Sequence, residues 1–158
     1  MERWVKSAFA VIGKEGSTDD GADFVARLWD EANGNFAEVA ALAKLDENGN
    51  LVGVWGAMTD RTRRFLPWED GFSCGLYLAG VECRDDAEPP RGWTRWDMPG
   101  FEYVRFSDDG PDAFRRCLEM LAAEGLPLVG AVQEFTDVAA GKSYLCCPVR
   151  RLTKEEML

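Results

Sequence analysis

Short apolar runs separated by polar turns divide the chain, and the spacing of the apolar positions assigns most of its elements. Residues 5–13 end in Phe9, Val11 and Ile12 and read as a strand, followed by a polar turn over 14–21. Phe24, Val25, Leu28, Trp29 and Ala32 then recur on one helical face, with Asp19 or Asp20 as cap and Asn33-Gly34 as the stop. A second short helix is predicted over 36–43, where Asn35 caps and Glu38 stands at the capping-box distance. After the turn Asp46-Glu47-Asn48-Gly49-Asn50, residues 51–58 read as a strand. The connection over 61–74 carries Phe65, Leu66, Trp68 and Phe72, too aromatic for a spacer, and is expected to fold back over something. A third strand over 75–83 ends at Glu82, which has the parity of Leu76, Leu78 and Gly80.

Residues 84–92, acidic and then Pro89-Pro90, mark a linker at mid-chain. Beyond Trp93 and Trp96, residues 101–106 form a predicted strand. Asp108-Asp109-Gly110-Pro111 opens a helix whose apolar face is Phe114, Cys117, Leu118, Leu121 and Ala122, stopped by Gly125 and Pro127. Strands over 128–135 and 144–152 complete the pattern.

The two halves echo one another. LVGVWGAMTD at 51–60 aligns without a gap to LVGAVQEFTD at 128–137, DDGADF at 19–24 answers DDGPDAF at 108–114, and Tyr77-Leu78 answers Tyr144-Leu145. Each half reads strand, helix, strand, strand, so the chain is an α/β (α+β) protein built from a duplicated β-α-β-β unit. A three-stranded unit cannot bury both faces alone, so the halves should pair about a pseudo-two-fold axis and leave a groove where they meet. One domain over 1–158 is expected, with repeat one at about 4–83, the linker at 84–92 and repeat two at about 93–152. The ungapped alignment sets Glu134 against Ala57 and Val132 against Trp55. It predicts that Trp55 and Glu134 share strand parity and address one groove.

Composition narrows the function. Lys and Arg total 18 against 28 Asp and Glu, a formal charge of -10, so direct binding to a nucleic-acid backbone is not expected. No segment approaches the ~20 apolar residues of a membrane span, and no signal peptide is recognisable, so a cytoplasmic protein is expected. The absence of histidine removes His-dependent triads and zinc motifs. Five cysteines without a C-x-x-C pair read as small buried hydrophobes. No phosphate-binding glycine motif, metal site or cofactor is expected.

Two carboxylates and an aromatic pool remain. Glu134, between Gln133 and Phe135 in an apolar strand, faces solvent, pairs with an arginine such as Arg105, or lies at a pocket floor where desolvation raises its pKa and a ligand cation restores its charge. Glu82 either starts the acidic turn that follows it or is a second pocket carboxylate. Trp55, Tyr77, Trp68, Trp93, Trp96, Tyr103, Phe135 and Tyr144 are core residues or the walls of a cleft that would attract flat, greasy cations. Trp29 is expected to pack its helix on the sheet.

Phe9-Ala-Val-Ile-Gly13, Leu28-Trp29, Trp55-Gly56 and Tyr77-Leu-Ala-Gly-Val-Glu82, taken with the duplication, resemble the GyrI-like small-molecule-binding family, which includes effector-binding domains of AraC-type and MerR-type regulators. The resemblance runs from about Trp4 to Leu152. It implies two SHS2-like modules around a central ligand pocket that holds lipophilic or cationic aromatic compounds against an acidic residue in the penultimate strand, the place of Glu134. It implies a stand-alone member, since the repeat leaves no room for a helix-turn-helix. Two alternatives also follow from the resemblance: a hydrolase of cyclopropane-bearing genotoxic compounds using Glu82 and Glu134 as its acid-base pair, and a protein-partner role such as gyrase modulation.

Overall fold

The computed structural model describes residues 1–157. Eight antiparallel strands form one sheet: β1 (Glu2–Lys6), β2 (Phe9–Ser17), β3 (Val54–Thr59), β4 (Leu76–Cys83), β5 (Thr94–Met98), β6 (Phe101–Ser107), β7 (Gln133–Asp137) and β8 (Lys142–Arg151). Three helices accompany them: α1 (Phe24–Gly34), the single turn α2 (Glu69–Phe72) and α3 (Ala113–Ala123). The sheet order is β1-β6-β8-β7-β3-β4-β2-β5. This order is symmetric about the central β7/β3 pair, with β2-α1-β3-β4 answering β6-α3-β7-β8. It is the duplicated β-α-β-β arrangement, with one added strand before each copy, and each added strand pairs with the first strand of the other copy.

The sheet has two unlike faces. On one, α1 covers Ala10, Ile12, Tyr77, Ala79 and Cys83, and α3 covers Val104, Leu145, Cys147 and Val149. On the other, the sheet curls on itself. Trp4 of edge strand β1 reaches the Phe135 ring at 5.1 Å and stacks on Trp55 at 6.1 Å, and Phe9 of β2 meets Trp55 at 4.8 Å. The curl is tight where two glycines face each other: a Cβ at Gly13 or Gly80 would run into the partner strand's backbone.

Several boundaries differ from the sequence expectation for physical reasons. The expected strand over 5–13 is two strands, because β1, rich in charge and mostly exposed, is an edge strand whose pattern reads as polar. The expected turn after Gly13 is instead strand to Ser17. Lys14 is buried there because its ammonium donates to the Gly92 carbonyl at 2.7 Å, lies 4.3 Å from the Trp93 ring and faces Glu31 at 3.4 Å. Asp19 and Asp20 belong to a 3-10 turn capped by Ser17, so α1 begins later, at Phe24. The predicted helix over 36–43 is two 3-10 turns, Phe36–Glu38 and Ala40–Leu42. Residues 128–132 are irregular, and β7 begins at Gln133.

Candidate functional site

The site sits on the helix-bearing face, where β3, β4 and β7 meet between α1 and α3. Gly56 of β3 lies opposite Glu134 of β7 and Ala79 of β4, and by strand alternation all three face the helices. The Tyr77 hydroxyl reaches across Gly56 and donates to Glu134 Oε1 at 2.5 Å, in the range of a charge-assisted bond. Trp29 Nε1 of α1 donates to the Tyr77 oxygen at 2.9 Å. A Cβ at Gly56 would overlap both the Tyr77 hydroxyl and the Glu134 carboxylate, so glycine is required here for space.

Beyond this point β3 and β7 are joined by a side chain. The fully buried Gln133 amide accepts from Met58 N at 2.6 Å and donates to the Met58 and Ala131 carbonyls at 2.9 and 3.1 Å. Met58, Ala131 and Val132 line a cavity of about 220 Å³ closed by Trp68, Phe72, Phe114 and Leu145, with Glu134 at its edge. The aromatic connection after β3 builds its roof. Asp60 accepts from Arg64 N and Leu66 N, Thr59 Oγ1 accepts from Phe65 N, and Trp68 Nε1 donates to the Leu76 carbonyl at 3.1 Å. Phe72 then meets Phe114 of α3 edge-on at 5.2 Å. Phe65 (φ 60°) and Phe72 (φ 67°) hold left-handed backbone, which costs a bulky residue about 1–2 kcal/mol each and marks a connection held in shape by its contacts.

Glu134 also borders a second, more polar cavity of about 380 Å³, with Trp29, Asn33, Val54, Asp108 and Tyr144. Trp29, Asn33 and Val54 in turn border a third, of about 280 Å³, beneath α1, with Ile12, Ala32, Val39 and Trp93. Among the described residues, no lysine or arginine lines any of the three. Burial pushes the Glu134 carboxyl above the usual carboxylate range; the Tyr77 hydrogen bond opposes that shift and the charge of Asp108 adds to it. Burial, then the Glu134 charge, push the Tyr77 hydroxyl far above the usual tyrosine range, which keeps it a donor.

The candidate residues divide between the two faces. Glu134, Tyr77 and Trp68 come together in the groove, and Trp93 lies at its far end with Nε1 on Glu38. Tyr144 edges the central cavity while packing toward the other face. Phe135 does the same, and Trp55, Trp96 and Tyr103 belong to the curled interior. Trp96 donates to Glu15 at 2.6 Å, and the Tyr103 hydroxyl has no hydrogen-bond partner among the described residues.

Two expectations are corrected. Trp55 pairs with Phe135 and faces away from Glu134, because the sheet register is one residue off the ungapped repeat alignment, and a one-residue slip exchanges faces. Glu82 shares the Trp55 face: it accepts from Trp55 Nε1 at 3.2 Å and from Lys6 Nζ at 3.1 Å, with Lys44 at 3.8 Å. The Lys6 ammonium also lies 4.4 Å from the Phe9 ring. Glu82 and Glu134 therefore stand on opposite faces, and the carboxylate pair that hydrolysis would need is not assembled. Arg105 likewise pairs with Glu2, between the Trp4 and Tyr144 rings, and does not pair with Glu134.

Trp29, Gly56, Phe72, Phe114 and Gln133 are site residues that the sequence reading did not single out. Trp29 carried a signal: it sits at the border of the α1 apolar face, where a large amphipathic ring covers sheet and groove together.

No protein-family model and no curated protein matches the chain. Solved structures do. SAV2435 bound to tetraphenylphosphonium aligns with a TM-score of 0.62 at 15% identity, over 94% of this chain and 93% of that one. An integron cassette protein from the mobile metagenome of Vibrio cholerae aligns with a TM-score of 0.59 at 16% identity, over 94% and 95%. EcmrR, in a cryo-EM structure of its DNA complex, aligns with a TM-score of 0.62 at 12% identity over 96% of this chain, which spans 58% of that one. The chain has the fold of these proteins, and the duplicated β-α-β-β architecture expected from its sequence is the one it adopts.

Proposed function

We propose that this protein binds lipophilic, cationic aromatic small molecules in the groove between α1 and α3, with Glu134 as the counter-charge. One observation carries the reading: a desolvated carboxylate borders two cavities that no basic side chain lines among the described residues. A carboxylate in that setting is under-compensated, and a ligand cation supplies the charge that the protein does not. Trp29, Trp68, Phe72 and Phe114 supply apolar area and ring faces for the rest of such a molecule. The shared fold with SAV2435, whose structure holds tetraphenylphosphonium, supports the same ligand class.

The test is calorimetric titration with tetraphenylphosphonium. Saturable binding is expected, and Glu134→Gln should weaken it by about tenfold or more, ~1.4 kcal/mol. Equal affinity in the variant would remove Glu134 from the site.

A further inference from the structure

The three cavities lie in a row. The first and second share Glu134, and the second and third share Trp29, Asn33 and Val54. The end chambers hold about 220 and 280 Å³, each below the roughly 300–1,000 Å³ of pockets that enclose drug-sized ligands. The middle chamber, at about 380 Å³, is within that range, so a ligand that uses either end chamber must extend into the middle one.

Their linings differ in chemistry. The first chamber is walled by the Trp68, Phe72 and Phe114 rings. The third adds aliphatic surface from Ile12, Val39, Leu51 and Val81 to the Trp29 and Phe36 rings, and its Trp93 ring is already covered by the Lys14 ammonium. The middle chamber has the two carboxylates, Glu134 and Asp108, together with Asn33, Thr136 and Ser143. Apolar, acidic and apolar surface thus follow one another along the groove.

We infer that the ligand is a two-armed cation. Its positive centre sits at Glu134, an aryl arm enters the chamber at Phe72 and Phe114, and an alkyl arm crosses the middle chamber past Trp29 into the chamber beneath α1. This rests on the cation-binding reading of the groove and adds to it the shape of the ligand. A compact cation would fill the carboxylate end and leave the third chamber unused, whereas a molecule with apolar groups on both sides of its charge uses all three.

The experiment is titration of the whole chain, below micelle-forming concentrations, with benzyltrimethylammonium, dodecyltrimethylammonium and benzyldimethyldodecylammonium, which carry the aryl arm, the alkyl arm and both. The two-armed probe is expected to bind at least tenfold tighter than either of the others. Val54, half-buried on β3, lines the passage between the middle and third chambers, and aromatic residues suit a strand. Val54→Phe should bring the two-armed probe down to the affinity of benzyltrimethylammonium. Leu51→Phe, which blocks the same chamber from its far side, gives the same readout if the first variant melts early. Met58→Trp fills the aryl chamber and should bring the two-armed probe down to the affinity of dodecyltrimethylammonium. A gain of less than threefold from the second arm, or variants that weaken both arms alike, overturns the two-armed ligand and leaves the cation site standing. Absence of binding by all three probes and by tetraphenylphosphonium overturns the cation site itself.

Discussion

Gly56 lies directly opposite Glu134 on the neighbouring strand, and the space its missing side chain leaves is where the Tyr77 hydroxyl meets the carboxylate. Gly56→Ala should therefore part Tyr77 from Glu134. Overpacking of this kind costs about 1–3 kcal/mol, so the urea midpoint should fall, and affinity for tetraphenylphosphonium should fall with it as the carboxylate is displaced.

The raised pKa of Glu134 gives binding a pH dependence. A permanent cation such as tetraphenylphosphonium needs the ionised carboxylate, so its affinity should decline as pH drops through a midpoint above the ordinary carboxylate range. The free protein should show the reverse trend from this group. Its folded pKa lies above the unfolded one, so the native state holds the proton more tightly, and the contribution to stability is full below the unfolded pKa and lost as pH rises through the folded pKa. Calorimetry and denaturation across pH 4 to 8, an interval chosen to bracket about the usual Glu value and the upward shift, check both trends, and Glu134→Gln should abolish both.

Tyr77→Phe removes the donor to Glu134 and the acceptor of Trp29 Nε1. Leaving two partly buried groups unpaired should cost about 1–3 kcal/mol. Because the Tyr77 hydrogen bond is what lowers the Glu134 pKa against its burial, the pH midpoint of cation binding should move further up in this variant.

Glu82 should behave oppositely to Glu134. Glu82→Ala leaves Lys6 and the Trp55 N–H without their acceptor in the curled interior, a loss of about 3 kcal/mol for a one-sided break of a buried pair. Cation affinity in the groove should stay within about twofold of the parent once the variant is folded, since a side chain on the other face carries none of the ~1.4 kcal/mol that a tenfold change requires. A large affinity loss without a stability loss would reverse the assignments of the two glutamates.

The helix faces, the order of elements and the duplication were legible because they rest on local periodicity: Phe24 to Ala32 and Phe114 to Leu121 show a helical stripe, and the turns are rich in Asn, Asp and Gly. The edge strands were not. β1 has few neighbours to bury, so Glu2, Arg3 and Lys6 leave no alternation to read. Glu134 stood out as a charge in an apolar strand. Its partners did not, because Tyr77, Gly56 and Trp29 come from three elements whose meeting depends on strand register, which the repeat alignment misses by one residue. That same slip explains why Trp55, so prominent in the sequence, belongs with Glu82.

The exchange of edge strands between the two copies has a consequence for how the chain comes together during synthesis. β1, made before β6, pairs with it, so residues 2–6 must wait for residues 101–105 before their hydrogen bonds can form. β5 in turn closes back onto β2. The first copy thus emerges with an unsatisfied edge and an exposed Trp4, and its completion depends on sequence-distant contacts that fold slowly. An amino-terminal truncation would therefore be felt in both copies at once, at β6 through lost pairing and at Trp55 and Glu82 through lost contacts with Trp4 and Lys6.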